Sequence, residues 1–363
     1  MDSAFSSGRQ ATACALLLAT LISLPHLMAK TGWLERDQVY SGIPTRLGPF
    51  PWIHKVIYSD HADIDMAFVG SSKMWNAIDT PYVQRAFSER LGRDAKVVTL
   101  GWPWAGFDEV YLIARDLIER HRVRTLLVYD DSRGEDIPHA TSTRTFRIGE
   151  SSEALSGLPL LAQIRLYGGA VLAAPRHLLS AVRPAKDPTV NLGSEWTTPY
   201  YAPPTEERLG ALRAGVSGGF DPHLVPLAPT SRALPADALI YSEETRALFE
   251  FSGPPLAPYQ LHFARKLAQL CRDRGTRLVV VHVPTLAERL QSKVTERVSW
   301  PDLLGRDVAL VGIPPAKMFS GMSDSDLGAL FYEGVHLNRN GQDLFTRLIT
   351  PSLQKLYDLS PTR

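Results

Sequence analysis

The sequence predicts an α/β fold, a five-stranded parallel sheet with helices on both faces, and three observations carry that expectation. Short apolar runs alternate with amphipathic stretches of helical period between residues 64 and 129. The alternation lapses after residue 134 and resumes at residue 258. The runs are apolar along their length rather than at every second residue, as in strands buried on both faces.

Taken in order, Ile64 to Val69 reads as the first strand, and Pro81 to Leu91 as a helix with its proline in the first turn. Lys96 to Leu100 is the second strand. Asp108 to His121 is a helix that can bury Val110, Leu112, Ile113, Leu117 and Ile118. Thr125 to Tyr129 is the third strand. Gly134 to about Leu248 holds no strand series, only an apolar helical stretch (Leu158 to Leu179) and a loop-rich region with Pro203-Pro204 and Gly218-Gly219. It reads as an insertion, at about residues 134–250, over the C-terminal ends of the strands. Pro258 to Arg274 is again helical, residues 277–284 and Asp307 to Val311 are strands four and five, and Gly341 to Leu356 is the closing helix.

The totals exclude several classes. A chain of 363 residues, 44% apolar and 21% charged, can bury a large core. A net charge of +1 without basic runs argues against nucleic acid as a partner. Cys14 and Cys271 are the only cysteines, so neither a disulfide nor a cysteine metal site is expected. No Gly-rich phosphate loop and no Gly-x-Ser-x-Gly elbow around a credible serine is present, and no cofactor or metal is called for. Asp60-His61-Ala62-Asp63-Ile64-Asp65 has the composition of a metal site, but its side chains alternate along an extended entry and read as a solvated edge.

Ala11 to Ala29 is a run of 19 residues without formal charge, broken by Pro25 and His26. A spanning helix needs about 20 such residues. Residues 1–30 are therefore expected to be a transmembrane anchor, with a cleaved signal peptide or a buried helix as alternatives. Residues 31–60 read as a surface lead-in, and residues 61–363 as the α/β domain.

The chemistry concentrates in two distant segments. The first strand stops at Gly70-Ser71-Ser72, and far downstream Glu333-Gly334-Val335-His336 sets an acid three residues before a histidine. A serine is unreactive alone, and a histidine can take its proton only when a third group fixes its tautomer. Ser72 is the expected nucleophile, with Ser71 as the neighbouring alternative. His336 is the base, with Glu333, or else Asp324 or Asp326, as the orienting acid.

Together with Leu337-Asn338-Arg339-Asn340-Gly341, these segments resemble the SGNH hydrolase superfamily, and within it the bacterial membrane-anchored proteins that handle acyl groups on surface polysaccharides. The resemblance implies a flavodoxin-like three-layer sandwich. It also implies an oxyanion hole from the Ser72 N–H and a glycine N–H after the second strand, either Gly101 or Gly106, with Gly106 favoured because it precedes a helix. The family's third block ends in an asparagine donor. Here Asp130-Asp131 stands at that point, and Asp131 as a carboxylate cannot donate unless protonated. What the resemblance implies is a serine acyl esterase or O-acyltransferase acting on acetylated surface polysaccharide. It would be anchored in a bacterial inner membrane with its domain in the periplasm, or secreted if cleaved, beside a multi-spanning membrane acyltransferase. Thr99, where the family's second block has an asparagine, and the missing asparagine of the third block also fit a catalytically inactive binding or assembly subunit.

Trp75, Trp102 and Trp104 all follow strand ends, where aromatic faces could stack on sugar rings or pack the insertion onto the sheet. His282, ending the fourth strand, reads as structural.

Overall fold

The computed structural model describes residues 6–31, 36–41, 43, 49–130, 137–145, 152–172, 250–251, 256–285, 298–313, 318–323, 326–327, 330–331 and 335–358. Its strands are β1 (Ile64–Ser71), β2 (Val97–Trp102), β3 (Val123–Tyr129), β4 (Glu250–Phe251), β5 (Arg277–His282), β6 (Val298–Ser299) and β7 (Ala309–Gly312). Five of them form one all-parallel sheet in the order β2-β1-β3-β5-β7, and β4 and β6 pair antiparallel by themselves. The order reverses at β1, which has β2 on one side and β3 on the other. In open α/β sheets the ligand crevice lies at such a switch point, beyond the strands' carboxyl ends.

The apolar runs have their reason in two separate cores. Ala67, Val69, Leu126, Val128 and Val280 point into one, and Met66, Phe68, Leu127, Val279 and Val281 into the other. The first face is covered by α6 (Phe107–Arg120) and α10 (Pro258–Arg274), which also pack on each other. The second is covered by α4 (Ser72–Ala77), α5 (Thr80–Leu91) and the closing helix α12 (Arg339–Asp358). The helix boundaries follow local chemistry. Asp79 caps α5 by accepting from the Tyr82 N–H at 3.0 Å, and Gly92 ends it at φ 63°.

One expectation needs correction. The lead-in is not a surface segment. It forms α2 (Arg36–Ser41), α3 (Phe50–His54) and a π turn (Lys55–Ser59), and it buries Tyr40, Phe50, Trp52, Ile53, Val56 and Ile57 in the first core. The Trp52 indole donates to the Thr99 carbonyl of edge strand β2 at 3.2 Å, so this segment shields an edge that would otherwise be open to pairing. The N-terminal run does form a helix, α1 (Gly8–Thr31), on which Leu16, Leu17, Leu18, Leu21 and Leu27 are exposed. Among the described residues, however, no helix is long and apolar enough to cross a membrane.

Between β3 and β5 lie the short helices α7 (Ser142–Thr145) and α8 (Ser152–Leu155) and the longer α9 (Leu160–Val171). Most of the expected insertion lies outside the described residues. The remaining helix, α11 (Trp300–Leu304), sets Trp300 against Phe107 in the first core.

Candidate active site

Strand β1 runs through Ser71, and the chain turns at once into α4, whose first residue is Ser72. The turn sends the two serines different ways. Ser71 takes the N-cap position without a side-chain capping bond, and its Oγ is buried with no hydrogen-bond partner among the described residues. Ser72 Oγ lies 2.8 Å from His336 Nε2, both side chains are buried, and 264 residues separate them in sequence. That distance lets the imidazole accept the hydroxyl proton directly.

The position of His336 is set by the residues after it. Asn338 caps α12, its Oδ1 accepting from the N–H groups of Asn340 at 2.9 Å and Gly341 at 3.2 Å. Its own N–H donates to the Leu330 carbonyl at 2.9 Å, closing the loop that carries the histidine. At Gly341 a Cβ would overlap that same carbonyl oxygen, so only glycine fits there. Helix α12 is then stitched to the chain just beyond α4. Gln342 donates to the Ile78 carbonyl at 3.0 Å, Thr346 to the Ala77 carbonyl at 3.1 Å, and the Asp79 N–H to Thr346 at 2.9 Å. The helix carrying Ser72 and the loop carrying His336 are thus fixed to each other.

The other expected residues divide. Glu333, Asp131 and Asp324 lie outside the described residues. Asp326 is exposed and its carboxylate accepts from the Ser323 N–H at 2.9 Å and the Ser323 hydroxyl at 2.7 Å. Gly106 sits at the N-cap of α6 in extended backbone, where a Cβ would fall 2.6 Å from Asp108 and 3.1 Å from His139. Gly101 lies within β2 and faces Trp75, with 2.6 Å between a Cβ built there and that of the tryptophan.

That packing corrects the aromatic expectation. Trp75 and Trp102 are 2% and 0% exposed, so neither ring is available to a sugar. Trp75 is drawn under the sheet edge by the space that Gly101 leaves, and Trp102 lies in the first core. Trp104 is 40% exposed and stands at φ 62°, a strained conformation for a bulky residue. Buried His139 holds this turn. Its Nε2 lies 2.9 Å from the Pro103 carbonyl, its Nδ1 lies 2.7 Å from the Thr141 hydroxyl, and its ring meets that of Trp104 edge-on. Burial lowers the pKa of His139 against the pull of Asp108, so the ring is neutral, with the proton on Nε2 donated to Pro103.

Two further pairs stand near the site. Lys73, next to Ser72, donates to the Tyr129 hydroxyl at 2.8 Å and rests over that ring. His282, expected to be structural, has its Nδ1 2.6 Å from buried Asp130. The signal that could have found this pair is strand alignment, since Asp130 follows the end of β3 and His282 ends the neighbouring β5.

Behind the site, Asp108 accepts from Gln260 at 3.1 Å and from the His139 N–H at 2.8 Å, and Glu109 accepts from Thr145 at 2.6 Å. Burial pushes the Glu109 carboxyl up to about 8, with Thr145 opposing and Asp108 adding to the rise. The folded protein therefore keeps a proton that the unfolded chain releases above its ordinary value of 4.5. Stability from this group is complete at low pH and falls as pH rises toward about 8. Chemical denaturation at pH 5 and pH 8.5 is expected to show wild type losing on the order of a few kcal/mol across the interval, and Glu109→Gln losing little of it.

Compared with known proteins, the chain matches no family model, and no curated protein matches it.

Proposed function

We propose that the protein is an SGNH-like serine acyl esterase or O-acyltransferase, built as a flavodoxin-like three-layer sandwich. The observation that carries the reading is the 2.8 Å contact between Ser72 Oγ and His336 Nε2 at the carboxyl edge of a parallel sheet. In this reading His336 takes the Ser72 proton as Oγ attacks an acyl carbonyl. The oxyanion forms beside the start of α4, and the backbone N–H groups of Ser72 and Gly106 are its assigned donors. Collapse expels an alkoxide that recovers the proton from His336. The acyl-enzyme is then resolved by water or by a sugar hydroxyl, with His336 again taking the proton of the attacking oxygen. Glu333 is assigned as the orienting acid.

The resemblance of the Gly-Ser-Ser and Glu-x-x-His segments supports acetyl as the acyl group, a surface polysaccharide as the glycan and a multi-spanning acyltransferase as partner. Exposed leucines on α1 support attachment of the domain to a membrane through that helix.

The test is labelling of the full chain with a fluorophosphonate, followed by intact mass after incubation with an activated acetyl ester. Stoichiometric labelling and a transient acetyl adduct are expected. A folded protein that takes neither label overturns the enzyme reading and leaves a binding or assembly subunit on a hydrolase scaffold.

A further inference from the structure

At the end of the sheet opposite Ser72, where β1 and β3 begin, a hollow of about 320 Å³ opens between the strand starts and the last turns of α10 and α12. Four arginines line it from three parts of the chain. Arg93 lies in the turn after α5, Arg122 before β3, Arg124 within β3, and Arg274 at the end of α10. The acids in the lining are Asp63 and Asp65.

Four guanidinium groups and two carboxylates line the hollow. Asp65 is already engaged, taking Arg93 as an ion pair and accepting from the Tyr357 hydroxyl at 2.6 Å and the Lys96 N–H at 2.9 Å. Arg124 is held rigidly. Its guanidinium stacks 3.9 Å from the Tyr357 ring centroid and donates to the Tyr357 carbonyl at 3.2 Å. Its Nε is buried with no hydrogen-bond partner among the described residues. The field of this group is felt at the start of β5, where burial and Arg124 together lower the pKa of Arg277.

We propose that this hollow is a binding site for a phosphate monoester, distinct from the Ser72 site. Guanidinium forks from several directions match a tetrahedral dianion, which several fixed donors hold better than one mobile cation does. The volume is about ten times the ~30 Å³ share of a water molecule, leaving room for an organic group beside the phosphate. Such an ester can be a free metabolite or a lipid headgroup, and the experiment separates the two.

Glycerol 3-phosphate is titrated into the full chain by calorimetry at low salt, with glycerol as the uncharged control. In parallel, vesicles of phosphatidylcholine with and without phosphatidic acid are tested by co-sedimentation. Saturable 1:1 binding of glycerol 3-phosphate is expected. It should weaken tenfold or more in Arg274→Gln and Arg122→Gln, whose side chains are exposed, and remain unchanged in Ser72→Ala and in the distant, equally exposed Arg85→Gln. Capture by phosphatidic acid vesicles that is lost in Arg274→Gln, with no response to the soluble ester, assigns the site to a lipid headgroup. The proposal is overturned if neither form binds saturably, or if Arg85→Gln weakens binding as much as Arg274→Gln, since that marks non-specific charge attraction.

Discussion

Ser72→Ala is expected to lower acyl-ester turnover on the order of a thousandfold or more, and to abolish fluorophosphonate labelling, without a change in melting temperature. His336→Ala should cost a similar factor, and the double variant little more, because nucleophile and base act as one unit. The neighbouring serine supplies the contrast. Ser71 Oγ is buried with no hydrogen-bond partner among the described residues, so Ser71→Ala removes a desolvated hydroxyl that contributes nothing visible. It should leave turnover within a fewfold of wild type and stability unchanged or slightly raised. Steady-state kinetics on an activated acetyl ester with wild type and all four variants checks the set. If Ser71→Ala were the inactive variant, the nucleophile would be misassigned by one residue.

Gly341→Ala is expected to be the most damaging substitution away from the reacting atoms. Its Cβ would overlap the Leu330 carbonyl oxygen, a backbone atom that also accepts from Asn338. Either α12 shifts or the loop before it opens, and both routes move His336 off Ser72. Overpacking of this kind costs about 1–3 kcal/mol. A displacement near 1 Å can lower the rate on the order of a hundredfold. The expected signature is a fall in kcat greater than the rise in KM, with a lower melting temperature. A stability loss with unchanged kcat would show that the loop adjusts without moving the histidine.

The central sheet was legible because a strand buried on both faces is apolar through its middle, and runs such as residues 66–69 and 126–128 are too short and too apolar to be much else. The lead-in was not legible. Its buried positions do not follow one helical period, because α3 passes into a π turn at Lys55 and the buried face changes phase. The tryptophans failed for another reason. What buries Trp75 is the missing side chain of Gly101 on a neighbouring strand, and only the register reveals that contact. Ser72 and His336 were legible as residue types that need each other. The Lys73–Tyr129 and Asp130–His282 pairs had no such signature and depended on which strands became neighbours.

The 264 residues between Ser72 and its base have a consequence for how the chain is made. At about 5–20 residues per second, a ribosome finishes His336 roughly 13–53 s after Ser72. Throughout that interval the serine is an ordinary alcohol. On the proposed reading it becomes reactive when the last helix docks against the segment following α4 and brings the imidazole with it. If the proposed function holds, nascent or C-terminally truncated chains are unreactive toward acyl esters, and reactivity comes only with the completed fold.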